Sequence, residues 1–224
     1  MIKIFADGAD LEAIKKLNKN PLVKGFTTNP TLMRKAGVSD YERFAKEVLV
    51  EVRDKPVSFE VFSDNFDEME RQARKIASWG ENVYVKIPIT NTNRQSSVPL
   101  IKKILDIKLN ITAVFTKEQI ELLPISKIPM IISIFAGRIA DTGTDPIPFV
   151  RSIKKFLIGA ELLWASPREV LNIYQAEEAG ADIITCTPDL IEKYEKLKGR
   201  DLAEFSLDTV KMFYNDGQAA GYKL

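Results

Sequence analysis

The sequence predicts an α/β protein, a single (β/α)8 TIM barrel with an extra C-terminal helix. Three observations carry that expectation: eight short β-rich runs in series, helix signals in the gaps, and polar side chains that share one parity of the runs. The runs are "IKIFAD" from 2, "VKGFTTN" from 23, "PVSFEVF" from 56, "NVYVKIP" from 82, "KLNITAVF" from 108, "MIISIFAG" from 130, "ELLWAS" from 161 and "ADIITC" from 181. Successive starts differ by 21, 33, 26, 26, 22, 31 and 20 residues, room for a helix and two loops each time. In the gaps, "SDYE" at Ser39–Glu42 and "TKEQ" at Thr116–Gln119 read as capping boxes, and "SPRE" at Ser166–Glu169 adds proline at a first helical position. "SWG" (78–80) and "EAG" (178–180) put glycine where helices stop. No linker or composition shift divides the chain, so residues 1–224 are expected to be one barrel domain, with 202–224 a helical extension that caps the barrel or a neighbouring subunit. An open doubly wound sheet fits less well, because the G-x-G-x-x-G turn expected after its first strand is missing.

Composition narrows the chemistry. With 32 basic and 31 acidic residues the net charge is +1, too little to recruit nucleic acid or an acidic membrane, although a local basic patch could hold a phosphate. The single cysteine, Cys186, excludes an intrachain disulfide, and neither a signal-like start nor a run of about 18 apolar residues is present. A cytoplasmic protein is expected. The chain has no histidine, which removes Ser-His-Asp and Cys-His nucleophiles and the usual zinc sites. Acid–base work then falls to carboxylates, lysine, tyrosine, hydroxyls or water.

Parity locates those groups. Side chains alternate along a strand, and in a barrel the outward set must be apolar because it packs on helices. The outward sets then become Ile2, Ile4 and Ala6; Val57, Phe59 and Val61; Val83, Val85 and Ile87; Leu109, Ile111 and Ala113; Ile132, Ile134 and Ala136; and Leu163 with Ala165. What remains faces in: Asp7, Thr27 with Asn29, Glu60, Lys86, Asn110 with Thr112, Ser133 and Ser166, all toward the C-terminal strand ends where barrel enzymes keep their active sites. Taken singly, each has a plainer role: Asn29 a turn former before Pro30, Ser166 a helix cap, Glu60 half of a structural ion pair. Together they describe one polar pocket.

A lysine inside such a pocket has a chemistry. Burial disfavours the ammonium and leaves a nucleophilic amine, which can attack a ketone and form a Schiff base, an electron sink for breaking the adjacent carbon–carbon bond. Glu60 and Thr112 could order a water beside Lys86, and Asp7 could take a proton from a substrate hydroxyl. No cofactor and no metal are needed. Arg138 beyond the sixth strand and Arg168 after the seventh, with Ser166 and a helix N-terminus, would bind a phosphate.

"GFTTNP" (25–30), "VKIP" (85–88), "NITAVF" (110–115), "SIFAGRIAD" (133–141) and "WASPRE" (164–169) resemble the transaldolase family, whose compact branch includes fructose-6-phosphate aldolase. The resemblance implies a Schiff-base lysine at Lys86, an acid–base aspartate at Asp7, and a water-binding carboxylate and threonine at Glu60 and Thr112. It implies substrate-hydroxyl ligands at Asn29, Asn110 and Ser133, phosphate ligands at Arg138, Ser166 and Arg168, sugar phosphates as substrates, and ring-shaped homo-oligomers, commonly decamers, built partly through the C-terminal helix. The aldolase branch tends to carry glutamine and tyrosine where this chain has Glu60 and Phe135, which favours transfer of a dihydroxyacetone unit over its release. A silent sugar-phosphate binding barrel is the reading from another class. Gly8 and the stretch "ADTGTDP" (140–146) depart from the family pattern and bear on acceptor preference.

Overall fold

The computed structural model describes residues 1–125 and 129–223. Eight parallel strands close on themselves in chain order, with β1 pairing with β8. They are β1 (Lys3–Asp7), β2 (Val23–Thr27), β3 (Val57–Glu60), β4 (Val83–Pro88), β5 (Leu109–Val114), β6 (Met130–Ile134), β7 (Glu161–Trp164) and β8 (Ile183–Cys186). Every run expected from the sequence is a strand. Between them lie α1 (Leu11–Asn18), α2 (Pro30–Lys35), α3 (Tyr41–Glu51), α4 (Phe66–Ala77), α5 (Val98–Lys103), α6 (Lys117–Glu121), α7 (Ala136–Ala140), α8 (Pro146–Phe156) and α9 (Leu171–Glu178), followed by α10 (Pro188–Leu197) and α11 (Leu202–Ala220). The two longest spacings, β2 to β3 and β6 to β7, each hold two helices.

The barrel unit spans residues 1–191. Its strand residues Val57, Phe59, Val83, Val85, Ile87, Leu109, Ile111, Ile132 and Ile134 are buried, as the outward parity requires of side chains that meet the helix ring. Each contributes roughly 1.5–3 kcal/mol of transfer free energy. Inside, Phe5, Ile131, Leu163, Ala165 and Ile183 form one cluster with Tyr84 and Phe135 against it. Strands that are not neighbours meet this way only within the barrel, so these side chains plug its floor. Gly25 makes the plug fit: a Cβ there would lie 2.6 Å from the Phe5 ring.

That cluster corrects the parity assigned to the seventh strand. Leu163 and Ala165 face the interior, not the helices. An all-apolar strand offers alternation no contrast, and Leu163 suits the plug as well as the helix layer. Ala113 departs from simple alternation too: it sits in a left-handed conformation (φ 58°) where the β5–β6 register shifts, a bulge that re-aims the chain beyond it.

Helix starts also moved. Asp40 rather than Ser39 caps α3, accepting from Arg43 N–H at 3.0 Å. The "SPRE" segment does not open a helix: α9 begins at Leu171, and Asn172 Oδ1 takes the N–H groups of Arg168 (2.7 Å) and Glu169 (3.2 Å). The box at 116–119 is present, with Gln119 Oε1 accepting from Thr116 N–H at 3.1 Å.

The second unit spans 192–224, of which Leu224 lies outside the described residues. In it α11 is capped by Asp201 and ends at Gly221 in the left-handed region (φ 67°). None of its residues is buried, and Leu202, Phe205, Leu207, Val210, Met212, Phe213 and Tyr214 are exposed apolar side chains. No helix among the described residues is long and apolar enough to cross a membrane.

Candidate active site

The expected residues converge on one cavity. Asp7, Thr27, Asn29, Lys86, Thr112, Ser133, Phe135, Arg138 and Ser166 all line a narrow space of about 80 Å³ at the C-terminal ends of the strands. A larger groove of about 320 Å³ opens beside it, between Ile14 and Leu17 of α1, Leu32 and Lys35 of α2, and Asp189 of α10. Its walls are mainly apolar, and although Lys35, Asp10 and Asp189 also line it, no ion pair joins them among the described residues, so chemistry selects the smaller space.

Lys86 sits at the bottom of the wall. Its side chain is 7 % exposed, and Nζ forms an ion pair with Glu60 Oε2 at 3.0 Å and donates to the Thr28 carbonyl at 2.9 Å. The register puts the partners side by side: Glu60 on β3 pairs with Lys86 on β4, which pairs with Asn110 on β5. So Nζ does not stand alone in the pocket: a carboxylate oxygen lies within hydrogen-bond reach of it. Removing one member of such a buried pair costs about 3–5 kcal/mol.

Thr112 lies one register step beyond, opposite Pro88. Its Oγ1 is buried and has no hydrogen-bond partner among the described residues. An orphan hydroxyl costs about 1–3 kcal/mol, so it is available to whatever polar group enters the cavity.

Asp7, at the end of β1, has its carboxyl raised above the ordinary aspartate value. Burial is the main cause and the Glu60 charge adds to it, outweighing the opposing pull of Lys86 and of the Thr27 hydroxyl. A carboxyl shifted toward neutrality can both give and take a proton. Thr27 Oγ1 donates to Asp7 Oδ1 at 2.7 Å and meets Thr185 Oγ1 at 2.5 Å. Thr185, on β8, also lines the cavity. Sequence reasoning missed it, although applying parity to "ADIITC" would have turned this polar residue inward.

Asn110 and Glu60 do not line the cavity; they support it. Asn110 donates to Ser58 Oγ (3.1 Å) and accepts from Ser133 Oγ (2.7 Å), a buried chain that ties β3, β5 and β6 beneath the lysine. Ser58, two residues before Glu60 and therefore on the same face, is a second residue that parity could have flagged. Asn29 lines the cavity and also caps α2, a role the sequence reading did not assign to it, by accepting from Leu32 N–H at 3.0 Å.

The cationic rim is built differently. Arg138 lies over the Phe135 ring, 5.0 Å from its centroid, and that ring stacks on Phe115 at 5.6 Å. Ser166 reaches the cavity through a left-handed backbone (φ 65°), not by strand parity. Gly137 permits this: a Cβ there would stand 1.6 Å from the Ser166 carbonyl oxygen. Arg168 does not line the cavity. It turns to Asp141, donating through Nε at 3.0 and 3.2 Å and also through Nη2, while Nη1 reaches Ser166 Oγ at 3.2 Å. The pair holds the Asp141 carboxyl below its ordinary value. Cys186, buried on β8, is no nucleophile, since burial pushes its thiol up to about 12.

Comparison with known proteins places this geometry. A probable transaldolase 2 from Listeria monocytogenes is 37% identical over 196 residues, 86% of this chain and 88% of its own length. A probable transaldolase from Nitrosopumilus maritimus is 34% identical over 197 residues, covering 86% of each. Among solved structures, KGPDC from Streptococcus mutans superposes with a TM-score of 0.60 at 12% identity, covering 86% of this chain and 90% of that one, a likeness of fold alone. The family model described as Transaldolase/Fructose-6-phosphate aldolase matches residues 4–223, and the chain belongs to that family.

Proposed function

We propose that the protein is a transaldolase that uses Lys86 as a Schiff-base nucleophile, without metal or organic cofactor, to move a dihydroxyacetone unit from a ketose phosphate to an aldose phosphate. The single observation behind this reading is the buried Lys86 Nζ, 3.0 Å from Glu60 Oε2 at the foot of a polar cavity. Glu60 takes a proton from the ammonium, and the freed amine attacks the ketone carbon of a substrate such as fructose 6-phosphate or sedoheptulose 7-phosphate. Loss of water from the carbinolamine, shuttled by Glu60 and Thr112, leaves the iminium. Asp7 then removes the proton of the hydroxyl on the carbon beyond the scissile bond. That carbon becomes the aldehyde product, and the bonding pair moves into the iminium to give an enamine. The enamine adds to the acceptor aldehyde with Asp7 returning the proton, and water releases the new ketose. Asn29 and Ser133 serve the substrate hydroxyls, with Asn110 reaching them through the Ser133 hydroxyl that it accepts from, while Arg138 and Ser166 serve the phosphate and Arg168 joins them once the phosphate displaces Asp141.

The apolar side chains exposed along α11, Phe205, Val210 and Phe213 among them, support a role for the C-terminal extension as the interface of a homo-oligomer, of ring type if it follows the family. A pentose phosphate pathway step in the cytoplasm fits the substrates and the single unreactive thiol.

Mixing the protein with fructose 6-phosphate and borohydride should leave a reduced adduct on the peptide containing Lys86, read by mass spectrometry. A protein that binds ketose phosphate yet carries no adduct at Lys86 is the silent barrel, and the mechanism fails. Omitting the acceptor separates transfer from release: accumulation of free dihydroxyacetone at the full rate would make this an aldolase.

A further inference from the structure

β2 and β3 begin to pair as parallel strands should. Phe26 N–H donates to Pro56 O at 2.8 Å and Thr28 N–H to Ser58 O at 3.0 Å. The next rung of that ladder would run from Glu60 N–H to Thr28 O. Among the described residues it is not made, because Asn29 and Pro30 turn the chain out of the sheet into α2. Both halves of the missing rung find other partners. Glu60 N–H donates to Tyr41 Oη at 2.9 Å, and Tyr41 Oη donates back to Glu60 O at 2.7 Å. Thr28 O, left free, accepts from Lys86 Nζ at 2.9 Å.

We infer that Tyr41 is a positioning residue for the reaction proposed above: its hydroxyl replaces a ladder rung, fixes the backbone of Glu60, and so leaves the Thr28 carbonyl and the Glu60 carboxylate together on Lys86 Nζ. The hydroxyl is itself held. Tyr41 opens α3, and its ring meets Phe59 (6.4 Å between centroids), Phe62 (5.3 Å) and Trp79 (5.9 Å). Burial drives the phenol well above its ordinary range, so it keeps the proton it donates at any working pH. Without the hydroxyl, Glu60 N–H is left unsatisfied or closes onto Thr28 O; either change shifts an acceptor of the lysine.

Tyr41→Phe keeps the ring and deletes the clamp. The rate of borohydride-trapped adduct formation, and kcat, should fall about ten- to a hundredfold, the scale of a misplaced reacting group, with KM nearly unchanged. In a Glu60→Gln background the same change should cost about twofold or less, because Tyr41 acts through Glu60. A second readout needs no substrate: carbamylation of Lys86 by cyanate at neutral pH should quicken about fivefold as its flanking acceptors loosen. If the wild type yields no adduct while Tyr41→Phe still speeds carbamylation, the Schiff-base reading fails and the positioning role stands. Unchanged trapping and carbamylation, or equal losses in both backgrounds with only a lowered Tm, would overturn the role. Should Tyr41→Phe fail to fold, p-aminophenylalanine placed at 41 retains donation to Glu60 O and accepts poorly from the amide. An intermediate loss supports the clamp, and a wild-type rate sinks it.

Discussion

The two sides of the cavity are made of the same kinds of charged group and held in opposite ways. On the lysine side, Glu60, Lys86 and Asn110 occupy matched registers of neighbouring strands, and the Lys86 and Glu60 side chains are only 7% and 18% exposed. On the rim, Arg138 is exposed on the five-residue α7, Ser166 sits in a left-handed turn, and the Arg168–Asp141 pair is about half exposed. Coulomb interactions in the interior are several-fold stronger than at a surface, where salt also screens them. The proposed chemistry therefore sits where neighbouring strands fix the geometry and electrostatics are little screened, while the groups proposed to bind the anion sit where they can adjust. Removing one charge should have a large, salt-insensitive effect on the inner side and a smaller, salt-sensitive one at the rim.

The largest contrast is expected from Asp7→Asn. With the proposed base gone, kcat for carbon–carbon cleavage should fall about 10²–10⁴-fold with little change in its salt dependence. Stability should move the other way. The folded-state value of Asp7 is raised, so the native state holds the proton more tightly than the unfolded chain; its contribution is complete below the ordinary value of 3.8 and is lost as pH rises through the folded value. At neutral pH the buried carboxylate thus weakens the fold, and Asp7→Asn should be more stable than wild type by about 1 kcal/mol. Denaturant melts should show that advantage vanish below pH 3.8. An asparagine variant no more stable at neutral pH would mean that Lys86 compensates the burial of Asp7 in full.

Arg138→Leu tests the rim. The guanidinium lies over Phe135 and lines the cavity without an ion-pair partner among the described residues. Losing one charge-assisted contact to phosphate should raise KM about ten- to a hundredfold, with kcat nearly kept. The penalty should shrink at high salt, and should be absent for a donor lacking the phosphate. An equal loss on the unphosphorylated donor would move Arg138 out of the anion site.

The same division decided what could be read from the sequence. The inner wall was legible because strand parity is a strict period: Glu60, Lys86, Thr112 and Ser133 fall inward once their apolar neighbours are sent outward. Parity failed where that contrast was missing, on β7, whose Leu163 belongs to the barrel plug, and where the backbone left the strand path, at Ala113 and Ser166 with their positive φ values. Thr185 was within reach of the same rule. Tyr41 and Asp141 were not, since each acts across a gap between elements that no local spacing encodes. Arg168 was expected in the anion site, and its partner Asp141 is what turns it aside.

That partner gives the finest test of the contrast. Asp141 and Arg168 are about half exposed, so their attraction is worth little to the fold. Its cost to binding is more specific. A phosphate entering beside Ser166 meets a guanidinium whose Nε and Nη2 already face a carboxylate, with Nη1 on the serine hydroxyl. To bind bidentately it must displace Asp141, and it approaches against that negative charge. Asp141→Asn removes the charge and keeps the shape, so KM for a phosphorylated donor should fall about two- to threefold at low salt, with the gain fading as salt rises. Stability should change by less than about 0.5 kcal/mol. The opposite outcome, a KM that rises severalfold at every salt concentration, would mean that the carboxylate aims Arg168 at the substrate; the rim would then be as preorganised as the lysine wall, and the contrast between the two sides would be one of exposure alone.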